Sequence, residues 1–141
     1  MTDLQKAKEL LYKGKYTCVI CKDDKVYTSD LRGVKPLVIW YSTSVSFDEF
    51  SAADKVVGKA TAFLYLLLGV KFVYASVISR SALTLLKEND IVVEYETLVD
   101  YIVNRNRDGV CPFEKAVLEI REKTEAYNAI RAKMDELNIK I

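Results

Sequence analysis

The 141-residue chain contains no histidine. That removes the commonest general base and the commonest zinc ligand together. An excess of one charge is also missing, since 21 Lys and Arg stand against 20 Asp and Glu, mixed along the chain. A general nucleic-acid or membrane-surface binder needs a basic field, so neither nucleic acid nor a membrane is expected as a partner. No apolar run reaches the roughly 20 residues of a bilayer span, because the longest is bounded by Lys59 and Lys71. The opening MTDLQKAKELLYKGK is charged and amphipathic, unlike a signal peptide, which makes the cytoplasm the expected location. Repeats, linkers and low-complexity tracts are absent too, so residues 1–141 are read as one domain.

Cysteine is scarce, and an odd count of 3 fits a reducing compartment better than a disulfide framework. Cys18 and Cys21 have CxxC spacing but lie in YTCVICK, a β-branched run that reads as a strand. Residues three apart on a strand point to opposite faces, so the two thiols cannot share a metal. They read as buried strand cysteines. No cofactor and no metal site are expected.

What is present is an alternation of helices and strands. Thr2–Tyr12 reads as a helix with Leu4, Ala7, Leu10 and Leu11 as its apolar stripe, ended by Gly14. Tyr16–Cys21 and Lys25–Thr28 read as two strands of a hairpin. A short helix follows over Val34–Tyr41 with Pro36 in its first turn. The chain is organised around Ser51–Ser79, read as one long helix from Ser51 to Leu68, a stop at Gly69, and a buried strand Phe72–Ile78. Ser51 with Asp54 has capping-box spacing, and the run Val56–Leu68 is so apolar that the helix must be covered all round. Ser81–Glu88 reads as a further helix, Ile91–Tyr95 as a strand, and Leu98–Val103 as either a strand or a helical turn. Helices over Pro112–Ile120 and Thr124–Leu137 close the chain. This order predicts an α/β fold, a three-layer α/β/α sandwich with a mixed sheet.

The same order of elements is that of the cytidine deaminase superfamily, whose zinc enzymes open the central helix with His-x-Glu and the next with Pro-Cys-x-x-Cys. Ala52-Ala53-Asp54 and Ser79-Arg80-Ser81-Ala82-Leu83 are the expected counterparts, and every zinc ligand is missing from them. Tyr16–Leu37, Phe50–Lys71 and Tyr101–Val117 carry long idiosyncratic stretches, YTCVICKDDKVYTSDLRGVKPL, FSAADKVVGKATAFLYLLLGVK and YIVNRNRDGVCPFEKAV. In these the chain resembles an uncharacterised domain-of-unknown-function family of cytidine-deaminase-like proteins that lack the zinc motifs. The resemblance implies a deaminase-like fold and supplies no chemistry, since without metal there is no low-pKa water.

The candidate site residues follow from charge and position. Asp54, placed where the superfamily keeps its acid/base, is expected to handle a proton, and Lys59 to act as nucleophile or anion anchor, with Lys55 on the same helical face. The bland alternative makes Asp54 a cap and the lysines snorkelling surface charges. Cys111, just before Pro112, would be a thiol at a helix start, or else a buried cap residue. Asn104 and Arg105 would bind an anion, or else Arg105 is a surface ion-pair partner; Arg32 and Lys35 would form a basic rim, or else only a solvated turn; and Ser51, Ser79 and Ser81 would line helix starts that attract phosphate. Two functions stay open. The first is binding of a small polar or anionic, nucleotide-like ligand in the vacated pocket, with or without non-metal chemistry, which leaves enzymatic activity undecided. The second is a non-catalytic scaffold acting as a homo-oligomer, most simply a homodimer, because Leu64–Val70 and Ala126–Leu137 offer more apolar surface than one small sheet can cover.

Overall fold

The computed structural model describes residues 1–104 and 106–141. In chain order the elements are α1 (Asp3–Lys13), β1 (Cys18–Lys22), β2 (Lys25–Ser29), α2 (Lys35–Ser42), β3 (Ser51–Val57), α3 (Lys59–Leu68), β4 (Phe72–Ser79), α4 (Arg80–Glu88), β5 (Val92–Val99), α5 (Pro112–Ala116) and α6 (Lys123–Glu136). The strands form one mixed sheet in the order β2-β1-β3-β4-β5. β1 runs antiparallel to both β2 and β3, whereas β3, β4 and β5 are parallel. The α/β class and the mixed sheet are therefore as expected.

The main departure lies in the central stretch. Ser51–Val57 is a strand and not the first two turns of a helix. Its Ser51/Asp54 capping pattern is coincidental, because tertiary pairing on both sides overrides local spacing. Ser51 lies opposite Cys21 and Phe72, and Asp54 opposite Cys18 and Ala75. Two alanines at Ala52 and Ala53, both fully buried, let helices approach the sheet closely on each face. Gly58, in extended conformation, separates the strand from α3. Lys55 and Lys59 consequently sit on different elements and share no helical face. Smaller shifts affect β5, which runs on through Leu98 and Val99, and α5, which stops at Ala116 rather than Ile120.

Helices cover the two faces unequally. Helix α1 packs Ala7 and Leu11 on Val19, Cys21, Ala53 and Tyr74. The other face, with Cys18, Ile20, Ala52, Val73 and Ala75, carries the larger core built around α3. The two cysteines of the CxxC thus point to opposite faces, as their spacing requires. Every residue of α3 from Ala60 to Tyr65 is buried, with α2 and α4 beside it and α6 against it, so the covering demanded by its composition is met.

Helix α3 ends at Gly69 in a left-handed conformation, φ +87°, with its N–H returned to the last turn. A Cβ here would collide with Asp48 Oδ1 and lie 3.1 Å from the Asp48 backbone. Gly33 shares the left-handed backbone at φ +67° but has open space around it. Gly69→Ala is expected to lose about 2 kcal/mol or more in chemical denaturation, and Gly33→Ala only about 1 kcal/mol. Equal losses would mean that the Asp48 contact contributes nothing.

Candidate functional site

The parallel strands β3, β4 and β5 end side by side, Val57 beside Ile78 and Ser79 beside Val99. Helices α3 and α4 start from this carboxyl edge, the usual place for ligands in α/β sheets. The start of α3 has no cap of its own: Gly58 precedes it, no acid lies in its first turn, and Lys59 stands there instead. Its first two N–H groups are satisfied from far along the chain. Glu114 accepts the backbone N–H of Lys59 at 2.7 Å and of Ala60 at 3.0 Å, one on each carboxylate oxygen. A carboxylate is what the partial positive charge of a helix start favours. The approach is possible because Gly58 lacks a side chain, since its Cβ would lie 2.5 Å from the Glu114 carboxylate. Lys59 Nζ turns away to donate to the backbone oxygen of Leu118 at 2.9 Å.

Beneath α3 lies a chain of three polar groups. Asp54 is partly buried on β3, and the Tyr65 hydroxyl donates to its Oδ2 at 2.6 Å. Tyr65 has one proton, so the Cys18 thiol, 3.2 Å from the same oxygen, is the donor in that second contact. The backbone N–H of Val56 reaches Asp54 Oδ1 at 3.3 Å. Loss of water around the carboxylate pushes its pKa up to about 7, against the pull of the Tyr65 hydroxyl and of the Val56 and Lys55 amides. Burial likewise raises the pKa of the Cys18 thiol and the Tyr65 phenol, which stay neutral. Asp54 is thus a carboxyl group able to gain or lose a proton near neutral pH, the requirement for general acid–base work.

The other expected residues divide by position. Lys55 is exposed next to Asp54, and its N–H bonds Thr17 O, whose hydroxyl in turn bonds Leu31 O. Arg32 follows Leu31 in the turn before α2, and Lys35 is the first residue of α2. Ser79 is buried and caps α4 by accepting the Ala82 N–H, with the exposed Ser81 hydroxyl 3.3 Å away. Ser51 lies at the far end of β3, so the structure removes it from the site. Asn104 uses its side chain inside its own loop, bonding Asp108 at 2.7 Å and receiving the Asp108 N–H. Arg105 lies outside the described residues. Cys111 is partly buried at the start of α5, where no side chain caps the helix. Where helix starts open to phosphate were expected, Glu114 takes the Lys59 and Ala60 N–H groups of α3 and Ser79 takes the Ala82 N–H of α4. Among the described residues no three Cys, Asp or Glu side chains converge as metal ligands. No described helix is long and apolar enough to cross a membrane.

Glu114, Tyr65 and Cys18 are the site residues that sequence reasoning missed as such. Cys18 and Tyr65 read as core, and they are core. The one signal for Glu114 was indirect, a helix start at Gly58-Lys59 with no local acid to cap it.

A family model described as TM1506, domain of unknown function (DUF1893), matches residues 6–134. The crystal structure of a DUF1893 family protein from Thermotoga maritima, at 2.70 Å resolution, is 27% identical in sequence. The similarity covers 92% of this chain and 88% of that one, with a TM-score of 0.85. No curated protein matches the chain.

Two outcomes test this geometry. A carboxyl group whose folded pKa is raised stabilises the fold while protonated; that contribution is full below the unfolded value near 3.8 and is lost as pH rises through about 7. The unfolding free energy of the wild type from denaturant titrations should fall from about pH 5 to about pH 8 by an amount on the order of a few kcal/mol more than that of Asp54→Asn. Parallel profiles would show that Asp54 titrates normally. Glu114→Ala and Gly58→Ala should each cost about 1–3 kcal/mol, and the double variant no more than the worse single one, because both remove the same contact. Additive losses would separate the two.

Proposed function

Because the chain belongs to the DUF1893 family of unknown function, we propose its function from its own geometry: it binds a small polar molecule at the carboxyl edge of β3–β5, with Asp54 as the group that exchanges a proton with it. The observation that carries this reading is the Asp54–Tyr65–Cys18 chain, a carboxyl with a raised pKa, held by a buried tyrosine and partly open to solvent beside Lys55. Tyr65 fixes the carboxyl in one orientation, and Cys18 fixes Tyr65. The ligand in this proposal is uncharged, of nucleoside type, since the Glu114 carboxylate already neutralises the start of α3 and would repel a phosphate there.

The reading includes a deaminase-like fold. The succession helix, hairpin, helix and then β3–α3–β4–α4–β5 supports it. With α3 starting at Lys59, the counterpart of the deaminase His-x-Glu becomes Lys59-Ala60-Thr61, and that of Pro-Cys-x-x-Cys remains Ser79–Leu83. Under this reading the place of the zinc ligands is taken by a lysine tied to Leu118 and a serine capping α4, and the proton chemistry moves to Asp54. Cytidine and adenosine serve as probes by amide NMR. Millimolar additions should shift the amides of residues 54–60 in the wild type, and Asp54→Asn should weaken binding at least about tenfold, the equivalent of one lost charge-assisted hydrogen bond. Absence of shifts at this edge, or equal binding by the variant, would overturn the assignment.

A further inference from the structure

At the end of the molecule where α3 terminates, a groove of about 470 Å³ opens between the loop after α2 and helix α6. Tyr41, Ser42, Ser44, Val45, Ser46, Leu67 and Tyr127 line it. We propose that this groove, separate from the Asp54 site, binds an uncharged hydroxylated ring of the pyranose type through its two tyrosines and its serine hydroxyls.

Three features of the groove point to that chemistry. Its size lies within the range of small-molecule sites. Among the described residues its lining holds no Asp, Glu, Lys or Arg, and the Arg131 guanidinium behind Tyr127 is engaged with that residue's hydroxyl, so the lining itself carries no charge to balance a charged ligand. Its polar groups are hydroxyls, which both donate and accept, and they surround two aromatic rings and two aliphatic side chains. A sugar ring has the matching surface, with an apolar C–H face for a ring and hydroxyls around its rim.

The walls are held in place before any ligand arrives. The Tyr41 and Tyr127 rings meet edge to face at 4.8 Å. Arg131 Nη1 donates to the Tyr127 hydroxyl at 3.0 Å, which leaves that hydroxyl's own proton available to a ligand. The serine loop is pinned at both ends, by Thr43 N–H to Ile39 O and Val45 N–H to Trp40 O at 3.0 Å each, and by Phe47 N–H to Leu68 O at 2.7 Å. Such preorganisation lowers the ordering cost of binding.

The test is amide NMR titration of the full chain with methyl pyranosides, with cytidine as a second arm. Shifts confined to residues 41–46, 67 and 127, saturating in the millimolar range or below about 10 mM, are the expected result. Tyr127→Ala should abolish them. Ser46→Lys, on the exposed loop and away from the core, should reduce affinity at least about tenfold without a change of fold. Asp54→Asn should leave pyranoside binding unchanged, which separates this site from the one at the carboxyl edge. No pyranoside shifts, equal affinity in Ser46→Lys, or shifts in the groove with cytidine alone would each overturn the proposal.

Discussion

An apolar helix in the middle of a domain can be covered on its sides by packing, but its first turn still presents unpaired N–H groups that packing cannot satisfy. In this protein a single carboxylate meets that need. Glu114 reaches back from α5 to the N–H groups of Lys59 and Ala60, and the loop and helices after β5 are thereby tied to the centre of the fold. The choice of Gly58 follows from this contact, and so does the path of residues 111–118 over the carboxyl edge, with Lys59 bonded to Leu118 as a second tie. Losing the carboxylate would leave one buried and one partly buried donor without their partner, at a combined cost of about 1–3 kcal/mol.

The same edge holds the second polar group that burial makes expensive. Asp54 keeps an acidic side chain against the main core with its pKa pushed up to about 7 by burial, and with its Oδ2 bonded to the Tyr65 hydroxyl that also contacts Cys18. An apolar residue would fill the space at lower cost. The contact of a carboxyl, a phenol and a thiol there is what supports the proposed proton chemistry at this point rather than at the lysines.

Much of the fold was legible because composition is a short-range signal. The β-branched run in YTCVICK, the Gly14 stop, Pro36 and Pro112 at helix starts, and the largely apolar Ala60–Leu68 each pointed to an element. Ser51–Val57 misled for a physical reason: Ser-Ala-Ala-Asp has the local chemistry of a helix start, and only pairing with β1 and β4 makes it a strand. The site was half legible. Asp54 and Lys59 stood out as charges in apolar surroundings, but the partners that define them, Tyr65, Glu114 and Leu118, are 11, 55 and 59 residues away. No spacing rule reaches that far.

The distance between Lys59 and Glu114 also orders events on the ribosome. Strands β1 to β4 and helix α3 emerge well before the residue that completes them, so the most apolar helix of the protein must wait for about 55 further residues before its start is capped. Until α5 and α6 have left the exit tunnel, the outer side of α3 and its unpaired amides stay open. The start of α3 is therefore capped only after every described strand has been made, and residues 111–118 are the segment that closes it.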